Sequence, residues 1–140
     1  MTDKLLVHYL SQMQGTLFEM NGREGYDSET FIRVFMRSRI TEGLDSDFDF
    51  THWAGKEYIM ERMIQEYPEG FSRQGTVFDS ETLYWAGYLY RYWHFYTGES
   101  SKEIYKQADA DTINTMYYGY HTLDIKMAID RLKDGYKHRR

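Results

Sequence analysis

The sequence predicts an all-α protein, a single compact bundle of six or seven helices spanning residues 1–140. Apolar residues recur at three- and four-residue spacing in segment after segment, which is the period of a helix with one buried face. Serine, aspartate and glycine stand at the ends of these segments, where helices are capped. The chain has one proline, no internal repeat and no linker. Its length of 140 residues fits one ordinary domain.

Three helices are predicted in the first half of the chain. The first covers about residues 3–20, with a break at Gly15 as an alternative, because glycine costs about 1 kcal/mol relative to alanine inside a helix. The second covers residues 28–43, with Ser28 as its N-cap. The third covers residues 53–67 and is closed by Pro68.

The central helix is predicted at about residues 80–97. It contains the run YWAGYLYRYWHFYTG, which holds five tyrosines, two tryptophans and one phenylalanine. A helix that is apolar over most of its circumference is typically buried at the centre of a bundle. The expected buried stripe consists of Trp85, Tyr88, Leu89, Tyr92 and Tyr96. Gly98 follows as a C-terminal cap.

Short helices are predicted towards the C-terminus. Ser100 and Glu103 fit a capping box that opens a helix over residues 101–108. Asp109 or Asp111 caps the next helix, which ends at Gly119. The last helix covers residues 124–134 and ends at Gly135.

Two of these helices, 101–108 and 111–118, suggest a helix-turn-helix unit. In such a unit the second helix lies in the DNA major groove. The candidate DNA-binding residues are Thr112, Asn114 and Thr115, together with Lys137, Arg139 and Arg140 of the basic tail. The second helix contains no lysine or arginine, so consecutive short helices without DNA contact are the favoured interpretation.

Net charge argues against nucleic acid as the main partner. The chain carries a net charge of -5, divided into -7 over residues 1–100 and +2 over residues 101–140. Phosphate-backbone binding depends on clustered lysine and arginine. Nucleic acid therefore stays an alternative that the sequence does not favour.

The sequence also bears on compartment. It contains no cysteine, which excludes disulfides and thiolate metal sites. It has no signal-peptide pattern and no apolar run of about 20 residues that would cross a membrane. We therefore expect a cytoplasmic protein without membrane contact.

The acidic stretch DSDFDF raises the question of a metal. Asp45, Asp47 and Asp49 match the first ligand positions of a calcium-binding loop. However, Phe50 replaces the required glycine and Lys56 replaces the bidentate glutamate. The sequence therefore predicts no metal and no other cofactor.

Two histidines are candidates for a catalytic role: His94, near Arg91 in the aromatic run, and His121, in a turn. A hydrolase or transferase would need a nucleophile or metal and an orienting carboxylate around one of them. No nucleophile elbow, phosphate-binding glycine loop or H-E-x-x-H pattern occurs. An enzyme is therefore the weaker alternative.

Protein binding is the use that the composition favours. Tyrosine and tryptophan dominate interface hot spots, and fourteen tyrosines exceed what this core could hide with every hydroxyl paired. The candidate protein-binding residues are Asp45, Asp47, Asp49, Arg91, His94, Tyr117, Tyr118, Tyr120 and His121. Homo-oligomerisation is a partner state that the sequence leaves open.

A resemblance supports this choice. The segments FMRSRITEGLDSDFDFTHWAGKEYIMERM, LYWAGYLYRYWHFYTGESSKEIYKQAD and YYGYHTLDIKMAIDRL resemble a group of small uncharacterised bacterial proteins associated with toxin–antitoxin-like loci, in the antitoxin position. The resemblance covers about residues 29–134 and implies a cognate toxin as partner, with no catalytic residues to carry over.

The leading hypothesis is therefore a non-enzymatic protein-interaction module that neutralises a bacterial toxin. The alternative is a helix-turn-helix transcriptional regulator that represses its own operon. The weaker alternative is a small hydrolase or transferase that uses His94 or His121.

Overall fold

The computed structural model describes residues 3–139, and this part of the chain folds into nine α-helices and one 3-10 turn with no strand. The all-α prediction is confirmed. Arg140 lies outside the described residues. The helices are α1 (Lys4–Arg23), α2 (Ser28–Met36), α3 (Arg39–Asp45), α4 (Thr51–Ala54), α5 (Lys56–Glu66), α6 (Ser80–Thr97), α7 (Ser101–Gln107), α8 (Ala110–Tyr120) and α9 (Ile125–Arg139), with the 3-10 turn at Pro68–Gly70 between α5 and α6.

The helix count exceeds the predicted one because two predicted helices are each divided. The segment 28–43 is divided where the Ser38 hydroxyl accepts the N–H of Thr41 and caps a new helix, α3. The segment 53–67 is divided at Gly55, whose φ of 86° no other residue adopts readily. The N-cap predicted at Ser28 is also wrong, because the Asp27 carboxylate accepts the N–H of Thr30 and takes that position.

Of the glycines predicted to end helices, Gly98 is correct and three others are wrong. Gly98 ends α6 in the left-handed conformation with φ of 79°, as predicted. Gly43, Gly119 and Gly135 instead lie inside α3, α8 and α9, and none of them has a positive φ. Packing of the helices overrides the cost of about 1 kcal/mol that glycine carries in a helix interior.

Helices α1 and α6 form the antiparallel pair on which the rest is built. Towards the C-terminus of α1, Gln14 bonds the Gly87 carbonyl and Glu19 bonds Ser80, so the two helices run in opposite directions. A Cβ on Gly87 would lie 2.4 Å from the Gln14 carbonyl oxygen, and one on Gly15 would lie 2.8 Å from the Tyr84 carbonyl oxygen. Gly15 therefore permits backbone contact and does not break α1.

Helix α6 has two faces of different character. We call its buried side the inner face, formed by Leu83, Ala86, Gly87, Leu89, Tyr90, Arg91 and Trp93. We call the opposite side the outer face, formed by Tyr84, Trp85, Tyr88, Tyr92, Phe95 and Tyr96. The predicted buried stripe is therefore correct only at Leu89, because its other four members belong to the outer face and are half-buried or exposed.

One continuous hydrophobic core connects the inner face of α6 with α1, α2, α3, α5, α7, α8 and α9. Phe18 lies near its centre and contacts Phe31, Phe35 and Tyr90 edge-on at ring-centroid distances of 5.5–6.3 Å. Such edge-on pairs add to the stabilisation from burial alone. None of the helices within residues 3–139 is long and apolar enough to cross a membrane.

Candidate functional site

The polar seam of the aromatic run is a buried ion-pair cluster. The Arg91 side chain is 0% exposed, and its Nη1 donates to Asp45 Oδ1 at 2.7 Å. Its Nε donates to Gln14 Oε1 at 2.9 Å, and its Nη2 donates to Ser101 Oγ at 3.3 Å. The backbone N–H of Ser101 donates to the second Asp45 oxygen at 2.8 Å. This cluster joins α6 to α1, α3 and α7.

Inside the molecule, the charge of Arg91 is paired with the charge of Asp45. Burial lowers the pKa of Arg91, and the neighbouring Asp45 carboxylate opposes that shift. A buried charge is tolerated when it is paired and hydrogen-bonded. The geometry gives Arg91 and Asp45 a role in holding four helices together, so we do not include them in the candidate site.

The two candidate catalytic histidines each contact a backbone carbonyl. His94 Nδ1 lies 2.7 Å from the Glu99 carbonyl oxygen, and His121 Nδ1 lies 2.8 Å from that of Tyr117. Because a carbonyl can only accept, Nδ1 carries the proton in both rings. His94 is half-buried with Asp45 Oδ1 at 3.7 Å, whereas His121 is exposed.

The three aspartates of DSDFDF lie in three different environments. Asp45 points inward to Arg91, and Asp49 accepts the N–H and the hydroxyl of Thr51, the first residue of α4. These bonds from Thr51 lower the pKa of Asp49. Asp47 alone is fully at the surface. Among residues 3–139, no group of three or more histidine, aspartate or glutamate side chains could hold a metal ion.

Between and beyond these aspartates lies an exposed hydrophobic surface, which we call the loop patch. Phe48 is 98% exposed and Trp53 is 72% exposed. The Tyr9 and Trp53 rings stack at 6.5 Å with 20° between their planes, and Phe50 meets Tyr58 edge-on at 5.8 Å. The loop patch comprises Tyr9, Phe48, Phe50, Trp53 and Tyr58.

Local structure explains why these rings face solvent. The single turn of α4 directs Thr51 and His52 inward, where His52 Nε2 lies 3.2 Å from the Leu44 carbonyl oxygen. Trp53 is consequently directed outward. A shallow cavity of about 330 Å³ separates Phe48 and Trp53 from Leu6 on α1.

The outer face of α6 forms the floor of a second surface, which we call the tyrosine groove. It consists of two open cavities of about 520 and about 570 Å³ that share Tyr88. The acidic half is lined by Glu19, Glu81, Tyr84, Trp85, Tyr88, Tyr117, His121, Leu123 and Ile125. The basic half is lined by Lys4, Val7, His8, Tyr88, Tyr92, Phe95, Tyr96 and Lys126.

Helical spacing determines how the tyrosine rings of the groove are arranged. Tyr84, Tyr88 and Tyr92 lie one turn apart with ring centroids 6.3 and 6.1 Å from one another. The Tyr88 hydroxyl lies 3.1 Å from His8 Nδ1. Burial, followed by the neighbouring Tyr84 and Tyr92, raises the pKa of Tyr88.

Helix α8 supplies the other wall of the groove. The Tyr117 ring meets Trp85 edge-on at 5.6 Å and stacks on His121 at 4.3 Å with 15° between the planes. Tyr117 and His121, which the sequence singled out, therefore belong to the groove. Tyr120 is half-buried and packs against the core, whereas Tyr118 is 87% exposed.

The proposed DNA-reading residues lie on a helix that follows a short turn. Asn114 and Thr115 of α8 are exposed and Thr112 is half-buried. In the tail, Lys137 and Arg139 are exposed, and Arg139 Nη2 donates to the Gln107 carbonyl at 3.3 Å. Helix α8 itself contains no lysine or arginine.

Comparison with known proteins does not extend this description: no protein-family model, curated protein or solved structure matches the chain.

The sequence did not predict the main members of either surface. Trp85 and Tyr88 were expected in the core, and Phe48, Phe50 and Trp53 were not among the candidate binding residues. One signal was available: Ala86 and Gly87 are the small residues of α6, and small residues mark the side of a helix that lies closest to a neighbour. The large rings on the opposite side were therefore free to remain at the surface.

Proposed function

We propose that this protein is a non-enzymatic interaction module that binds a partner protein through the loop patch. The observation that carries the proposal is a group of exposed aromatic rings, led by Phe48 and Trp53, on one continuous surface. Contiguous exposed apolar patches mark protein interaction sites. Tryptophan and tyrosine are also the residues that contribute most to interface hot spots.

Charge indicates the chemistry of the partner. Asp47 lies exposed beside Phe48, and residues 1–100 carry a net charge of -7. A partner that surrounds an apolar patch with lysine and arginine complements this surface, because opposite potentials steer association and fix orientation. We therefore infer a basic partner protein.

The resemblance to proteins of toxin–antitoxin-like loci identifies the first partner to test. It is a basic toxin encoded beside the gene for this chain, which the loop patch would cover and neutralise. Support comes from the acidic charge and the exposed rings, both of which suit a neutralising protein.

The test is to measure binding of that neighbouring protein by calorimetry and rescue of growth when both are expressed. Trp53→Ala should weaken binding about 30-fold, the effect of removing a hot-spot side chain worth about 2 kcal/mol. Val77→Ala is the matched control, because Val77 is an exposed apolar residue outside the loop patch. Trp53→Ala should leave the unfolding temperature unchanged.

Two further measurements separate the alternatives. If Tyr118→Ala weakens binding while Trp53→Ala does not, the partner binds the MYYGYHT surface and the loop patch is the wrong site. For the transcriptional alternative, affinity for the upstream DNA is measured against salt concentration, since each phosphate contact steepens the dependence. Failure of the wild-type chain both to bind and to rescue would contradict the toxin as partner.

A further inference from the structure

We propose that the acidic half of the tyrosine groove binds an organic cation, a small molecule that carries a quaternary or methylated ammonium group. This site shares no residue with the loop patch and goes beyond the proposed function. The cavity of about 520 Å³ falls within the range of about 300–1,000 Å³ that is typical of small-molecule sites.

The lining has the chemistry that such cations require. Tyr84, Trp85, Tyr88 and Tyr117 contribute aromatic rings, and the negative face of an aromatic ring attracts a cation. Quaternary ammonium groups are recognised by aromatic cages in this way because they cannot donate hydrogen bonds. An open arrangement of four rings on two helices suits a rounded, methyl-covered group.

The cage is held in place by contacts within the protein. Trp85 meets the Tyr117 ring edge-on, and His121 stacks on the side of Tyr117. Tyr84 and Tyr88 lie one helical turn apart on α6, which is anchored to α1 through Gly87. Rings that are fixed before the ligand arrives lose little conformational entropy on binding.

Charge selects the cation over an anion or a neutral ligand. Glu19 and Glu81 line the acidic half, and neither takes part in an ion pair among the described residues. Glu19 accepts only the Ser80 hydroxyl at 2.8 Å, a neutral donor. The lysines of the groove, Lys4 and Lys126, line the other half, beyond Tyr88.

The test is a ¹H–¹⁵N NMR titration with choline chloride and with 3,3-dimethylbutan-1-ol, its neutral isostere, at constant ionic strength. The three indole N–H signals give an internal control, because Trp85 lines the site, Trp53 lies in the loop patch and Trp93 is buried. Choline should shift the Trp85 signal saturably and leave the other two unchanged. The neutral isostere should bind at least about tenfold more weakly, the effect of losing the cation–π and charge terms.

Variants locate the interaction. The double variant Glu19→Gln, Glu81→Gln should weaken choline binding about five- to tenfold. Tyr84→Leu tests the cage in the same way and keeps the helix. Tyr92→Phe, in the basic half, should leave the affinity unchanged, and Trp53→Ala should do the same, so loss of partner binding and loss of cation binding are distinguishable.

Three outcomes would overturn the proposal. Equal affinity for choline and its isostere would mean a merely apolar groove. A response at Trp53 in place of Trp85 would place the cation on the loop patch. Absence of a saturable shift up to a concentration of about 50 mM, where even an affinity of about -3 to -4 kcal/mol is detectable, would mean that no such site exists.

Discussion

The inner and outer faces of α6 both carry tyrosine and tryptophan, but these residues are buried on the inner face and half-buried or exposed on the outer face. On the inner face, the Tyr90 hydroxyl donates to the Ala108 carbonyl at 2.7 Å and the Trp93 indole donates to Glu99 at 2.9 Å. On the outer face, Trp85 and Tyr92 pack against the core but stay half-exposed. One helix therefore serves as both structural axis and candidate binding surface.

Aromatic density therefore does not by itself indicate burial. An aromatic ring can bury about 150–250 Å² while its polar atom stays in water, so tyrosine tolerates either face. What distinguishes the faces is the contact with α1, since Gly87 of the inner face allows the backbone of Gln14 and Gly15 to approach closely. The predictions below test whether removing matched atoms from the two faces has the unequal effects that this comparison demands.

The largest effect is expected at Arg91, the charged centre of the inner face. Arg91→Ala should lower the free energy of unfolding by about 3–5 kcal/mol, because it leaves the Asp45 carboxylate largely buried and unpaired. Arg33→Ala is the control, since the Arg33–Glu29 pair lies at the surface with 3.6 Å between its atoms and should contribute at most about 0.5 kcal/mol. Urea denaturation measures both. Equal effects would mean that the cluster is not structural.

The second effect concerns Glu99, whose carboxylate accepts hydrogen bonds from the Trp93 indole and from Lys133 Nζ. Burial by itself would raise the pKa of this carboxyl, but the bonds from Lys133, Trp93 and Gln107 outweigh it and lower the pKa from 4.5 to about 2. Because the pKa is lower in the folded state, the stabilisation is complete above about pH 5. It is lost as the pH falls towards about 2.

Comparison with Glu99→Gln isolates this stabilisation. The difference in unfolding free energy between wild type and variant should be about 2–3 kcal/mol at pH 6 and should shrink progressively down to pH 2. Other carboxylates with lowered pKa, such as Asp27 and Asp49, are common to both proteins and cancel in the difference. A difference that does not change with pH would rule out this role for the carboxylate.

The third effect tests the close approach of α1 and α6. Gly87→Ala should cost about 2 kcal/mol, because the new Cβ meets the backbone of Gln14 and Gly15 and the helices must separate. Gly119→Ala is the matched control: a Cβ on this helical glycine would meet no atom of another helix within 4 Å, so the change should stabilise by about 0.5–1 kcal/mol. Thermal unfolding should show shifts of opposite sign, and shifts of the same sign would contradict the packing.

The smallest effect compares one oxygen atom on each face. Tyr90→Phe should cost about 1–2 kcal/mol, because it leaves the buried Ala108 carbonyl without its partner. Tyr92→Phe should change the stability by less than about 0.5 kcal/mol, since the outer face is open to water. Urea denaturation measures the free energy of unfolding of both variants. A larger loss of stability in Tyr92→Phe than in Tyr90→Phe would reverse the assignment of the faces.

The part of the fold that the sequence predicted depends on local chemistry. The bounds of α6, its cap at Gly98 and the capping box of Ser100 and Glu103 are all as expected. Each depends on hydrogen bonds or backbone angles within a few residues, which a sequence displays directly. The candidate site could be predicted much less well from the sequence, because Tyr117 and His121 become part of the groove only through contact with α6.

The all-α class, the long aromatic helix and most of the helix starts follow from the sequence, because periodicity and capping act over one or two turns. The contact of Arg91 with Asp45, 46 residues away, and the choice of which rings of α6 face water depend on the packing of the helices. A helix has no fixed rotation about its axis until its neighbours pack against it. Here the close contact of Gly15 and Gly87 sets that rotation.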